Sequence, residues 1–317
     1  MTATRSAPAS VGLRTPVTRF GGYETALEAM ADYEAVLCGR ASSRRSGGLT
    51  VTDQDQPEEA YCLFPARPFQ PPLAIVGGMG PLAGAMAFRR ACERFRNSRV
   101  LALYQACSMP DRSAVILSET GVADNLSCGD LASRLSRAVR RTVELTAADC
   151  QPVSCILACN SAHYFWNLLQ DHLRSEALEC VNMVSLVDSS LEALEFRSCR
   201  NVLVLTTEGA RVGRVFSEPC SSAGIPFEEP SPALSRLLMR TIFEGIKALD
   251  HQRALELGNE FFERILETGR DYDCILAGCT EIPLTIELLK RRGNPAVAAF
   301  LSNVKIIDPL EEALCRA

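Results

Sequence analysis

Two short segments of the sequence share one arrangement. Cys155–Ile156–Leu157–Ala158–Cys159 runs into Asn160, Ser161, Ala162 and His163, and Cys274–Ile275–Leu276–Ala277–Gly278–Cys279 runs into Thr280, Glu281, Ile282 and Pro283. In each, an apolar run ends in a cysteine, and a hydroxyl residue just after it can cap a following helix. A thiol so placed faces the positive end of a helix dipole and open backbone N–H groups, which lowers its pKa toward thiolate. Two such thiols on opposite sides of a cleft suit the inversion of a carbon acid. One takes the α-proton as a base, and the other returns a proton to the opposite face. The plainer reading is that both are buried core cysteines among the 14 in the chain.

Other groups offer binding chemistry. Gly77, Gly78 and Gly80, around Met79, form a turn whose backbone N–H groups could hold a carboxylate. The rival reading of GMGPLA is a dinucleotide fingerprint, which needs an acidic residue about twenty positions on. The stretch there is LALYQACS, with no Asp or Glu, so the nucleotide reading is disfavoured. Only Lys247, Lys290 and Lys305 are lysines, and none is an obvious Schiff-base candidate for pyridoxal chemistry.

The elements that would position these residues alternate. From Leu73 onward, short apolar strands (LAIVGG, VLALYQA, VSCILAC, with CVNMV a possible fourth) alternate with helices at 81–97, 130–148 and from about 162. The scheme restarts near residue 200 with NVLVLTT, a helix over 211–223, helices over 232–247 and 250–268, then CILAGC, a helix over 282–290 and VKII. That pattern predicts an α/β protein with two similar lobes, each a short parallel sheet flanked by helices, whose strand–helix loops gather along one edge. The lobes are expected at 73–190, completed by 306–317, and at 191–305. Residues 1–72 read as an extension with one amphipathic helix (23–37), a linker at Arg40–Gly48 and a Pro-rich segment at 64–72. That extension is expected to contact the core or a partner.

Composition bounds the rest. With 317 residues, 47% hydrophobic and 22% charged, the chain is not broadly disordered, and a net charge of −5 gives nucleic acid or an anionic membrane no electrostatic reason to bind. No apolar run approaches the roughly 20 residues of a membrane span. No CxxC pair occurs, so a zinc ribbon is not expected. Cys155, Cys180 and Cys274 look like buried free thiols of a reducing cytoplasm. The first residues, rich in Arg, Ser and Thr with no acid before Glu24, leave an organelle transit peptide as the alternative to a cytoplasmic protein.

CNSAH and GCTEIP, with GGMGP after the first strand and PDRSAVIL after the second, resemble the aspartate/glutamate racemase family, in particular its aspartate racemase branch, over about 73–310. The resemblance implies two α/β lobes related by a pseudo-two-fold, a site between them, no pyridoxal cofactor and a homodimer. It implies Cys159 and Cys279 as catalytic bases, and Gly78, Met79, Gly80, Arg112, Asn160, Ser161 and Thr280 as binding residues. A guanidinium such as Arg112 suits a carboxylate. His163 and Glu281 would support the site. One departure concerns TTEGARVGRVF, where aspartate racemases carry a lysine for the second substrate carboxylate; Val212 stands there, with Arg211 or Arg214 as nearby substitutes. The function expected is cofactor-independent amino-acid racemisation. The alternatives are another isomerase of the superfamily, such as a hydantoin-type racemase, or a racemase-like binding protein without turnover.

Overall fold

The structure, a computed structural model, describes residues 4–5, 15–46, 58–119, 127–147, 152–176, 178 and 180–317. The N-terminal part comprises β1 (Thr4–Arg5), β2 (Val17–Phe20), α1 (Tyr23–Ser46), β3 (Glu59–Leu63), β4 (Leu73–Gly77), α2 (Pro81–Phe95), β5 (Leu101–Gln105), α3 (Arg112–Glu119) and α4 (Cys128–Glu144). It continues through β6 (Val153–Leu157), a 3-10 turn (Asn160–Phe165), α5 (Trp166–Ser175), β7 (Val181–Val184) and α6 (Leu186–Phe196). These strands form one sheet in the order β1-β2-β3-β5-β4-β6-β7. The stretch β5-β4-β6-β7 is parallel throughout. Every residue of β4, β5 and β6 is buried, because helices cover both faces; this is why these strands read as continuous apolar runs.

The first seventy residues do more than supply a helix between linkers. β3 pairs antiparallel with β5 and β2 pairs parallel with β3, so both belong to the main sheet. VTRF and EAYCL mix polar and apolar residues and so lack the continuous apolar run that marks β4 to β6 in the sequence. Helix α1 also runs on through Arg40–Ser46, the segment expected as linker. Its Ala26, Met30, Tyr33 and Leu37, one helical face, lie in the same core as Phe88 and Cys92 of α2. Tyr33 Oη accepts a hydrogen bond from Gln105 Nε2 at the end of β5 (3.3 Å).

The C-terminal part comprises β8 (Val202–Thr206), α7 (Glu208–Val212), α8 (Ser217–Ser222), β9 (Phe227–Glu228), α9 (Pro232–Arg240), a π-helical segment (Thr241–Ile246) and α10 (His251–Glu267). After these come β10 (Cys274–Gly278), α11 (Ile282–Arg292), α12 (Pro295–Asn303), β11 (Lys305–Ile307) and α13 (Pro309–Arg316). The helix expected over 211–223 is two short helices, broken where Arg214 takes φ 54°. The second sheet runs β11-β10-β8-β9, all parallel. Counted along the chain, both parallel sheets therefore have the order second-first-third-fourth. The direction in which successive strands are added reverses between the first and third strands of such a sheet, and ligands bind outside their C-terminal ends.

Helix α13 returns to the first sheet, where Leu310, Ala313 and Leu314 join the core that holds Met30 and Phe88. Among the described residues no cysteine forms a disulfide. Cys155 and Cys274 are buried as expected, but Cys180 is exposed, because it occupies the turn just before β7 rather than the strand. No described helix is long and apolar enough to cross a membrane. No group of three or more His, Cys, Asp or Glu among the described residues could hold a metal ion.

Candidate active site

The loops after the first and third strands of both sheets meet at one small cavity. Met79, Asp111, Arg112, Ser113, Cys159, Asn160 and Ser161 line it from the first half, and Thr207, Phe243, Lys247, Cys279, Thr280 and Glu281 from the second. Its volume is about 20 Å³, room for a single water.

Cys159 follows β6 in extended conformation and leads directly into the 3-10 turn. Its carbonyl oxygen is bonded to His163 Nδ1 (3.1 Å), and His163 Nε2 accepts from the N–H of Leu186 at the start of α6 (3.0 Å). An Nε2 that accepts leaves the proton on Nδ1, which donates to Cys159. His163 is buried, stacks on Trp166 with ring centroids 4.9 Å apart, and has its pKa lowered by burial to about 4. It is thus a neutral clamp beneath the Cys159 loop and does not line the cavity.

Asn160 lines the cavity and is 2% exposed, yet neither its Oδ1 nor its Nδ2 has a hydrogen-bond partner. Leaving a buried amide unsatisfied costs on the order of 1–3 kcal/mol per group. Such a cost marks a place where a ligand completes the bonding.

Arg112 is the first residue of α3, whose N-terminus Asp111 caps by accepting from the N–H groups of Ser113 (2.8 Å) and Ala114 (3.3 Å). The guanidinium is held by two carbonyl oxygens, donating through Nη1 to Pro110 (2.9 Å) and through Nη2 to Met79. Of the glycine turn, only Met79 reaches the cavity. Gly78 (φ 81°) lies against the backbone of Ala106, and Gly80 leaves room for the carboxylate of Glu281. Gly78 and Gly80, expected to bind substrate, do not line the closed cavity; here they let the chain turn and let Glu281 approach.

Cys279 departs from expectation in its chemistry. Its Sγ donates to Glu281 Oε2 at 3.0 Å, and Thr280 Oγ1 donates to the same oxygen at 3.0 Å. Burial first, and the adjacent Glu281 carboxylate second, push the thiol well above its ordinary pKa, while Lys247 pulls weakly the other way. The anticipated drift of Cys279 toward thiolate is thus reversed, because desolvation and a like charge outweigh the start of α11.

Hydroxyls tie the two walls together. Thr207 Oγ1 meets Ser161 Oγ at 3.0 Å and accepts from Ser113 Oγ at 3.3 Å. Gly209 of α7 lies so close to α3 that a Cβ would stand 2.5 Å from the Cα of Ser113. Arg211, expected as a substitute cation, is paired with Glu208 one turn back: Nη2 and Nε engage Oε1 (2.6 Å) and Oε2 (3.1 Å). Neither Arg211 nor Val212 lines the cavity. The positive charge on this wall comes from Lys247, which sequence reasoning passed over with Asp111, Ser113, Thr207 and Phe243. Thr207 had a legible signal, since it follows the first strand of its sheet as the glycine turn does. Phe243 and Lys247 had none.

The sequence model of the Asp/Glu/Hydantoin racemase family matches residues 76–317. The chain belongs to this family. Among solved structures, it is similar to Picrophilus torridus aspartate racemase, with TM-score 0.57 and 20% identity over 78% of this chain and 92% of that one. It is similar also to an aspartate racemase homologue from Pyrococcus horikoshii OT3, with TM-score 0.54 and 20% identity over 78% and 97% of the two chains. At these identities the likeness establishes the racemase fold. In sequence, an uncharacterized protein of the pnlA 3′ region of Pectobacterium carotovorum subsp. carotovorum is 26% identical over 123 residues, 39% of this chain and 76% of that one.

Proposed function

We propose that the protein is a cofactor-independent amino-acid racemase that inverts Cα by proton transfer between Cys159 and Cys279. One observation carries the reading: both thiols line a single cavity together with the unsatisfied amide of Asn160. The repeated strand order, which places each thiol after the third strand of its own sheet, supports a pseudo-two-fold arrangement of the two bases. Arg112 and Asn160 would hold the α-carboxylate, where charge develops as Cα loses its proton. Hydrogen-bonded stabilisation of that charge contributes on the scale of several kcal/mol.

Cys279 enters as a thiol. In the direction this favours, the Cα–H bond breaks and its proton forms S–H on a Cys159 thiolate. The Cys279 S–H bond then breaks and its proton forms the new Cα–H bond on the opposite face. The reaction leaves Cys159 protonated and Cys279 as thiolate, and exchange with solvent resets the pair. No bound cofactor is needed for these steps. Homodimerisation and a cytoplasmic location, implied by the resemblance and the composition, belong to the same reading.

The test is incubation of L-aspartate, L-glutamate and other amino acids in D₂O without pyridoxal, following loss of the Cα–H signal by NMR. Exchange with inversion is expected, and Cys159→Ser and Cys279→Ser should each slow inversion by about 10²–10⁴-fold. Saturable binding with no exchange of any amino acid would overturn the racemase reading in favour of a binding protein.

A further inference from the structure

We propose that a second pocket, on the outer face of α4, binds a small anion that carries a phosphate group. Its volume is about 210 Å³, and it is lined by Arg134, Arg137 and Arg141 of α4, Tyr104 of β5, Ser108 just after that strand, and Glu58 just before β3. It shares no residue with the catalytic cavity. Glu58 precedes the family-matched residues 76–317, so the racemase domain alone does not complete this pocket.

The helix explains the cluster. Positions 134, 137 and 141 recur at the spacing of one helical face, while Leu131, Leu135, Val139 and Val143 bury the other side in the core. A capping box between Ser127 and Asp130 fixes where the helix starts. All three arginines are exposed, and like charges one turn apart repel. Asp130 and Glu144, the acids of α4 nearest to them along the chain, do not line the pocket. The lining therefore carries three guanidinium groups and one carboxylate, a surplus of two positive charges.

One anion of the chain itself already sits there. Glu58 accepts from Tyr104 Oη through Oε2 (2.6 Å) and from Ser108 Oγ through Oε1, and Arg141 Nη1 lies 3.9 Å from Oε2. The Arg141 guanidinium also stands over the Tyr104 ring, 5.5 Å from its centre, an arrangement that steadies a cation. Glu58 thus holds one end of the pocket in place, and Arg134 and Arg137 carry the positive surface beyond it. A phosphate monoester brings a charge of about −1.5 to −2 and three acceptor oxygens near neutral pH, which matches the surplus, and guanidinium groups engage it bidentately. A lone carboxylate would neutralise only half of it. The chain's net charge of −5 makes this a local patch and not a nucleic-acid face.

The experiment titrates inorganic pyrophosphate, and separately inorganic phosphate, into the full chain by calorimetry. Wild type is expected to bind pyrophosphate saturably and more tightly than phosphate, because the larger charge meets more of the arginines. The double variant Arg134→Gln/Arg137→Gln should weaken pyrophosphate binding about tenfold or more. Arg140→Gln, on the same helix but outside the pocket and paired with Glu176, should leave it within about twofold. Glu58→Gln should tighten binding about threefold, since it removes the one like charge and keeps an oxygen that accepts from Tyr104. Absence of saturable binding, equal affinity in wild type and the double variant, or weaker binding by Glu58→Gln overturns the site. The titration involves no turnover, so its outcome is independent of the racemase reading.

Discussion

Glu281 sets the terms on which Cys279 holds its proton. The carboxylate both accepts the S–H and repels the thiolate, so Glu281→Gln should lower the thiol's pKa, leaving only the upward push of burial. The expected readout is faster alkylation of Cys279 by iodoacetamide at a fixed pH near 8, followed by peptide mass spectrometry; an unchanged rate would remove Glu281 from this role. His163 offers a pH test of different sign. Its pKa is depressed from 6.5 to about 4 in the folded protein, so below 6.5 the unfolded chain binds a proton that the folded one refuses. Its contribution is complete above pH 6.5 and is lost as pH falls toward 4, a difference of roughly 3 kcal/mol. Urea denaturation of wild type and His163→Gln at pH 7.5 and 4.5 should show the gap between them narrowing at the lower pH, whereas a constant gap would mean the imidazole does not resist protonation. Both cysteines were legible in the sequence, because an apolar run ending in a thiol before a helix start is a local pattern. The protonation of Cys279 was not, since Glu281 was visible two residues on but the burial that dominates is a property of the closed cavity.

At the level of elements, two close approaches hold the cavity walls. One is Gly209 against Ser113, where α7 meets α3 and the hydroxyls of Ser113, Ser161 and Thr207 converge. Gly209→Val should force these helices apart, lowering stability by about 1–3 kcal/mol and reducing kcat/KM. The check is the thermal midpoint together with D₂O exchange, and an unshifted midpoint would contradict so tight a contact. The other is Gly245 of the π-helical segment against α10, where a Cβ would stand 2.7 Å from the Cα of Ala254. The helix α7 was partly readable, since a helix was expected over 211–223, though its break at Arg214 was not. The π-helical segment left no trace in the sequence because a helical run of hydrophobic residues looks the same whether or not one turn carries an extra residue. Lys247, weighed in the sequence only as a Schiff-base candidate, accordingly carried no sign of its place at the cavity.

Over the whole molecule, the two parallel sheets were legible because strands buried on both faces must be apolar throughout, and LAIVG, VSCIL, VLVLT and CILAG are. The N-terminal strands VTRF and EAYCL were not, since each mixes polar and apolar residues over a few positions. Their place in the sheet has a consequence for self-association. β5 lies between β4 and β3 through five residue pairs on either side, so its outer backbone N–H and C=O groups are already satisfied within the chain. Two copies cannot join there by continuing one sheet into the other; among the described strands the sheet edges at which a second copy could add a strand are β1, β7, β9 and β11.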